Sequence, residues 1–336
     1  MFLEELSSEI VELGEKKFRA KQVNDWVVKG VSDFDQMKNI SKGLKELLKD
    51  NFILNNMSIV RSQKSKDGTI KYLMKLHDNH VIESVLMKYK HGNTLCVSTQ
   101  VGCRMGCSFC ASTIGGKARD LSAGEILGQV YEAQNDTGEK VSNIVLMGSG
   151  EPLDNYDEVL KFIRLVNDEN NLNISMRNIT LSTCGIVPEI RKLMKEKLQI
   201  TLAISLHAVD NGKRDNLIPV NKKYPIEELL ETCKDYVKET GRRITFEYSL
   251  IEGENDSVAE AEKLAKLLRG MLCHVNLIPI NPVREKKYKA SKSQSVNKFR
   301  DALKRKGIEA TVRRELGQDI DAACGQLRKS YLDDVE

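Results

Sequence analysis

The chain has no uninterrupted apolar run long enough to span a bilayer, which argues against a helical membrane protein. Its opening, MFLEELSSEIVEL, has no basic n-region and carries Glu4, Glu5, Glu9 and Glu12, so a secretory leader is not expected. Six prolines in 336 residues, no internal repeat and no low-complexity linker leave an ordinary globular chain, 40% apolar and 30% charged. The length suits one large domain with a small accessory one. The expected compartment is the cytoplasm, where thiols stay reduced. Eight cysteines there point to metal binding or catalysis rather than disulfides.

Three of them cluster. Gln100-Val-Gly-Cys103-Arg-Met-Gly-Cys107-Ser-Phe-Cys110 follows the strand-like run Thr94–Ser98, with Gly102 and Gly106 freeing the backbone to wrap. Thiolates so close together suit a soft metal or an iron–sulfur cluster. A zinc site needs a fourth Cys or His at finger-like spacing, and none follows; His207 and His274 lie far downstream. Three cysteines on a cubane leave one iron open to a further ligand.

The surrounding pattern is strand, then helix, repeated. Apolar strand candidates are Asn143–Met147, Asn178–Ser182, Ile200–Leu206, Arg243–Leu250, His274–Ile280 and Ala310–Val312. Amphipathic stretches such as Ala123–Gln134, Tyr156–Asn167, Glu189–Lys197, Pro225–Glu239 and Ser257–Leu268 separate them. This predicts an α/β fold with parallel βαβ units, as a partial barrel or an open sheet, and ligands at the carboxyl ends of the strands. Residues 1–90 read as a mostly helical accessory domain with short strands. Within it, Lys66-Asp67-Gly68 marks a hairpin turn. Residues 91–336 form the second domain.

The cysteine spacing after a first strand resembles the radical S-adenosylmethionine superfamily. Four strand-end segments narrow the likeness: Met147-Gly-Ser-Gly150-Glu151-Pro152, Leu181-Ser182-Thr183, Ser205-Leu206-His207-Ala208 and His274 to Pro282. With Asp319-Ile-Asp-Ala-Ala-Cys324-Gly-Gln-Leu327 they resemble the RlmN/Cfr family of RNA adenine methyltransferases over nearly the whole chain. The resemblance implies a partial (β/α)6 barrel and a [4Fe–4S] cluster on Cys103, Cys107 and Cys110. It implies S-adenosylmethionine held by Gly150, Glu151, Ser182, Ser205, Leu206, His207 and Asn281. Cys324 would carry a methyl group, Cys96 would form a transient disulfide with it, and Glu83 would accept the substrate proton. The implied product is adenine methylated at C2, in 23S rRNA and beside the anticodon of certain tRNAs. A flavodoxin or ferredoxin would supply electrons to a monomeric, membrane-free enzyme.

Each residue alone has a plainer reading. A strand-end Ser or Asn is commonly a cap, an inward Cys96 packs as a small hydrophobe, and His207 suits a satisfied core position. Other functions also stay open: Cfr-type methylation at adenine C8, a radical reaction on a small molecule, or a zinc-binding RNA adaptor. Within the resemblance, Pro152 after Gly150-Glu151, where C8 enzymes of the family carry Ala, implies the C2 reaction over C8. The whole-chain charge is +4, yet residues 284–306 hold ten Lys or Arg against Glu285 and Asp301. That run suits phosphate contacts and equally a solvated helix face.

Overall fold

A computed structural model describes residues 1–54, 57–281, 283 and 285–326. Leu327, Pro282 and Arg284 of the segments quoted above lie outside the described residues. Three helices open the chain: α1 (Leu3–Glu12), α2 (Phe18–Val28) and α3 (Lys42–Asn51). They enclose a small core of Ile10, Val23, Met37, Leu44 and Leu48. Ser41 caps α3 by accepting from the Leu44 N–H. The lobe is fastened to the larger body by hydrogen bonds, Asn24 to the Asn170 carbonyl at 2.6 Å and Asn135 to the Gly30 carbonyl at 2.7 Å.

Strands β1 (Met57–Lys64), β2 (Ile70–Leu76), β3 (Val81–Tyr89) and β4 (Gly92–Cys96) follow as an antiparallel meander. The short strands β5 (Gln100–Val101) and β6 (Arg119–Asp120) pair across the cysteine loop. The βαβ series then runs α4 (Ala123–Thr137), β7 (Val141–Leu146), α5 (Tyr156–Asn167), β8 (Ile179–Thr183), α6 (Val187–Lys195) and β9 (Thr201–Ser205). It continues with α7 (Asn211–Leu217), α8 (Ile226–Thr240), β10 (Ile244–Leu250), α9 (Val258–Leu268), β11 (Cys273–Pro279), α10 (Ser293–Arg305) and β12 (Ala310–Val312).

Among the described residues one sheet has the order β1-β2-β3-β4-β7-β8-β9-β10-β11-β12. From β4 onward every pairing is parallel. Six parallel strands from β4 to β11, with β12 added at the edge, make the partial barrel. It stays open, because β1 and β12 are the two ends of the order. The boundary expected at residue 90 falls inside this sheet: β3 and β4 are partners across it. The helical lobe with its own core is confined to the first 54 residues, since hydrogen bonding commits β1–β3 to the barrel sheet.

The helices form because their apolar residues recur on one face. In α5, Val159, Phe162, Ile163 and Val166 are buried at helical spacing; in α9, Ala261, Leu264, Ala265 and Leu268 are. Each large side chain covered this way contributes roughly 1.5–3 kcal/mol. Ser122 and Glu125 build a capping box on α4. Two helices lay outside the predicted pattern. The residues of α7, NGKRDNL, offer little apolar periodicity. In α10 the buried Val296, Phe299 and Leu303 are masked by an exposed basic face. No helix of the described residues is long and apolar enough to cross a membrane.

Candidate active site

The carboxyl ends of the parallel strands enclose a cavity of about 970 Å³, open on one side. Cys103, Cys107 and Cys110 line it from the loop after β4. Gly102 and Gly106 take φ of 76° and 74°, so the loop doubles back where a side chain would strain it. Neighbours pin it: the Ser108 N–H donates to the Leu217 carbonyl at 3.0 Å, and Asp154 takes Lys117 at 3.0 Å together with Arg104. Burial pushes all three thiols up, Cys103 to about 12. Thiols that resist ionisation in isolation become ligands when a metal's positive charge offsets the burial.

Opposite this loop stand the strand-end residues. Gly150 has φ of 112°, and a Cβ there would lie 2.7 Å from Thr99 Oγ1 and 2.8 Å from the Gln100 nitrogen. Only glycine lets the backbone pass. Glu151 is buried; its carboxylate accepts the Cys184 N–H at 2.8 Å and the Leu153 N–H at 3.1 Å. Burial raises its pKa. Ser182, Ser205, His207 and Asn281 complete the wall.

His207 turns the chain with φ of 56°, a conformation rare for a residue with a side chain. Its Nδ1 accepts the Ser249 N–H at 2.8 Å, so in the neutral ring the proton sits on Nε2. Burial first, and then the Arg214 charge, lowers its pKa from 6.5 to about 3. The ring is neutral, and Phe109 of the cysteine loop meets it edge-on.

Leu206 departs from its expected place among the cofactor contacts. Its side chain is fully buried in the main core and does not line the cavity. Its N–H donates to the Glu247 carbonyl, and its own carbonyl accepts from Arg214. Leu206, the first residue after β9, packs into the core, and Ser205 at the strand's end lines the cavity.

Cys324 joins two cavities. It lines the one holding the three clustered cysteines, and also a second of about 540 Å³ whose wall includes Cys96, Val85 and Met87. Asn281 Nδ2 donates to the Cys324 carbonyl at 3.2 Å, and the Ala111 N–H donates to the Gly325 carbonyl at 2.8 Å. Both Cys96 and Cys324 are free thiols. Cys96 is buried, and burial and then its neighbour Cys324 push its pKa up.

Two charged residues lining the first cavity were not found from sequence: Glu247 in β10 and Arg313 just after β12. Arg313 borders both cavities, and Cys324, ahead of Glu247, Tyr89 and Cys96, raises its pKa against the effect of burial. Burial raises the pKa of Glu247, which accepts from Asn276 at 2.9 Å. A charged residue within the apolar run ITFEYSL was the available signal.

Glu83 stands one alternation along β3 from Val85, which lines the second cavity. It is completely buried, 3.2 Å from Lys71, and Lys71 also donates to the Asp321 carbonyl at 3.2 Å. It does not line the cavities that Cys324 borders.

Comparison with known proteins fixes the class of site. The radical SAM superfamily profile matches residues 97–268, and that of the ribosomal RNA large subunit methyltransferase N-terminal domain matches residues 1–54. The probable dual-specificity RNA methyltransferase RlmN of Clostridium tetani is 59% identical over 98% of this chain and 95% of its own. Its counterpart in Alkaliphilus metalliredigens is 56% identical over 99% and 95%. The crystal structure of a radical SAM methyltransferase from Sphaerobacter thermophilus superposes with a TM-score of 0.95, at 44% identity over 98% of both chains.

The chain belongs to the RlmN family of radical SAM methyltransferases. Its cofactors are a [4Fe–4S] cluster and S-adenosylmethionine, and the cavity fits both. Three soft thiol donors line it together with Ser, Asn and a neutral His that offer hydrogen bonds. Among the described residues no three His, Cys, Asp or Glu side chains converge on a point that would hold a single ion.

Proposed function

We propose that this enzyme methylates C2 of an adenosine in 23S rRNA and of an adenosine beside the anticodon in some tRNAs, with Cys324 carrying the methyl group. The observation that supports this reading most is the place of Cys324, shared between the cavity of the three clustered cysteines and that of Cys96. An aromatic C2 carbon has no lone pair with which to attack a sulfonium methyl, so a polar transfer fails. When bound, the cofactors supply a transferable methyl group and a 5′-deoxyadenosyl radical.

Cys103, Cys107 and Cys110 hold the cluster. Gly150, Glu151, Ser182, Ser205, His207 and Asn281 hold S-adenosylmethionine, with His207 donating from Nε2. Cys324 attacks the methyl through Sγ; the new S–C bond forms as the sulfonium C–S bond breaks, and its electron pair leaves with S-adenosylhomocysteine. Transfer of a hydrogen atom from the S-methyl group to the 5′-deoxyadenosyl radical that the cofactors would supply leaves a carbon radical on the Cys324 side chain, which adds to C2. Glu83 takes the C2 proton. It lies on the same face of β3 as Val85, which lines the cavity shared by Cys96 and Cys324. Cys96 then attacks Sγ of Cys324: the S–S bond forms as the bond from Sγ to the methylene carbon breaks, the proton given up by the Cys96 thiol completes the methyl group, and the one electron left over would return to the cluster held by Cys103, Cys107 and Cys110.

The target base leaves its stack to meet Cys324. The exposed basic segment that includes Lys287, Lys289, Lys304 and Lys306 supplies phosphate contacts. It reaches the site, because Tyr288 hydrogen-bonds Ser108 of the cysteine loop at 2.8 Å. A cytoplasmic monomer served by a flavodoxin- or ferredoxin-class reductant completes the reading. Mass spectrometry of digested rRNA from a strain lacking the gene tests it. Loss of 2-methyladenosine at one position supports the proposal. Loss of the C8 isomer assigns the Cfr-type reaction instead, and an unchanged digest overturns it.

A further inference from the structure

The segment carrying Cys324 has little regular structure of its own. Between Leu316 and Gln326 it contains a single 3-10 turn, Gln318–Ile320. Its backbone enters the left-handed region at Gly317, Asp321 and Gly325. A loop of this kind is held by the groups with which it exchanges hydrogen bonds. On the cavity side those groups are Asn281 and the Ala111 N–H, as above. On the other side the chain is met by a turn some 250 residues away in sequence, the Lys66-Asp67-Gly68 connection between β1 and β2.

The contacts there are reciprocal. Asp67 Oδ1 accepts the Thr69 N–H at 2.9 Å, closing its own turn, while Oδ2 accepts the Gly317 N–H at 2.9 Å. Asp319 answers from the loop: Oδ1 accepts from Ser65 Oγ at 2.6 Å and Oδ2 from the Lys66 N–H at 3.3 Å. Burial opposes ionisation of Asp67, but the hydrogen bonds from Gly317, Thr69 and Ser65 prevail and bring its pKa to about 2. The fit is close as well as polar. A Cβ on Gly317 would lie 2.8 Å from Ala322 Cβ and 3.0 Å from Thr69 Cγ2.

We propose that the Ser65–Asp67 turn is a positioning device for the methyl-carrying loop, setting where Cys324 stands between the two cavities. The proposal rests on the role given to Cys324 above. Asp67 and Asp319 line neither of the cavities that Cys324 borders; they act through the loop. This gives the β1–β3 extension of the barrel sheet a task in catalysis. Its hairpin reaches past the barrel edge to the one catalytic segment that no barrel strand carries.

The test uses the reconstituted holoenzyme with Asp67→Asn and Asp319→Asn, singly and together, with Ser65→Ala as a milder variant. Asparagine keeps the shape but turns one oxygen into a donor, leaving one of two N–H or O–H partners without an acceptor. Both aspartates are exposed, so the fold tolerates the change. Four quantities are measured: cluster absorbance, S-adenosylmethionine affinity, Tm, and the single-turnover rate of methyl transfer to Cys324. The expected result is a fall in that rate of about tenfold to a hundredfold, the scale set by an ångström-sized misplacement, with the other three unchanged. A rate within twofold of the parent enzyme overturns the proposal. So does a parallel loss of cofactor affinity or Tm, which would make the turn general scaffolding. Cys324→Ala, run alongside, separates the two ideas. If that variant still methylates RNA, the role of Cys324 fails; if it is inactive while the double variant works normally, only the positioning role fails.

Discussion

Asn281 holds the backbone of Cys324, its Nδ2 donating to the Cys324 carbonyl oxygen at 3.2 Å. One side chain at the end of β11 thus borders the cofactor cavity and fixes the loop of the methyl-carrying cysteine. Asn281→Ala is expected to weaken S-adenosylmethionine binding and slow RNA methylation together. Equilibrium binding and single-turnover kinetics on the same preparation check this. Slowed methylation with unchanged binding would restrict Asn281 to the loop.

Cys96 and Cys324 border one cavity as free thiols. Replacing Cys96 by Ala removes the only nucleophile assigned to release the base. RNA is then expected to remain covalently attached to Cys324. Denaturing electrophoresis of the reacted variant with labelled RNA reads this directly as a shifted band. Free methylated product from Cys96→Ala would remove Cys96 from the release step.

Gly150 leaves no room for a side chain and has a φ only glycine adopts readily. Gly150→Ala is expected to cost about 1–3 kcal/mol, the usual scale for such backbone strain, and to lower Tm. It also displaces Glu151 from the cavity wall, so S-adenosylmethionine affinity falls with it. A variant with parent-like Tm would show that the segment relaxes freely.

The buried neutral His207 links stability to pH. Its folded pKa is about 3 against an ordinary 6.5. Between those values the unfolded chain binds a proton that the folded chain does not, so stability falls as pH drops through this window. Above about 6.5 the contribution is fully present. His207→Gln is expected to flatten the dependence of Tm on pH between about 6.5 and 3. An identical slope in both proteins would contradict a buried neutral ring.

Much of this arrangement is legible in the sequence, for physical reasons. Buried parallel strands are apolar on both faces, so β7 to β11 stand out as short apolar runs. The three cysteines declare themselves because their ligand geometry requires close spacing on a glycine-bearing loop. The remainder depends on contacts distant in sequence. Glu247 and Arg313 come from distant parts of the chain and acquire meaning only when both line the cavity that Cys324 borders. Leu206 matched the family pattern by position, yet it packs into the core just after β9. Glu83 gave no sign in sequence of its pairing with Lys71. The turn at Asp67 was visible as a turn, but its partner loop lies some 250 residues away, beyond any local signal.

The central claim is that Cys324 carries the methyl group. Peptide mass spectrometry of the holoenzyme, incubated with methyl-labelled S-adenosylmethionine before RNA is added, tests it most directly. The account predicts the mass of one labelled methyl group on the peptide containing Cys324, and its appearance in the adenine product once RNA is supplied. An unmodified Cys324 in an enzyme that goes on to methylate RNA would contradict it.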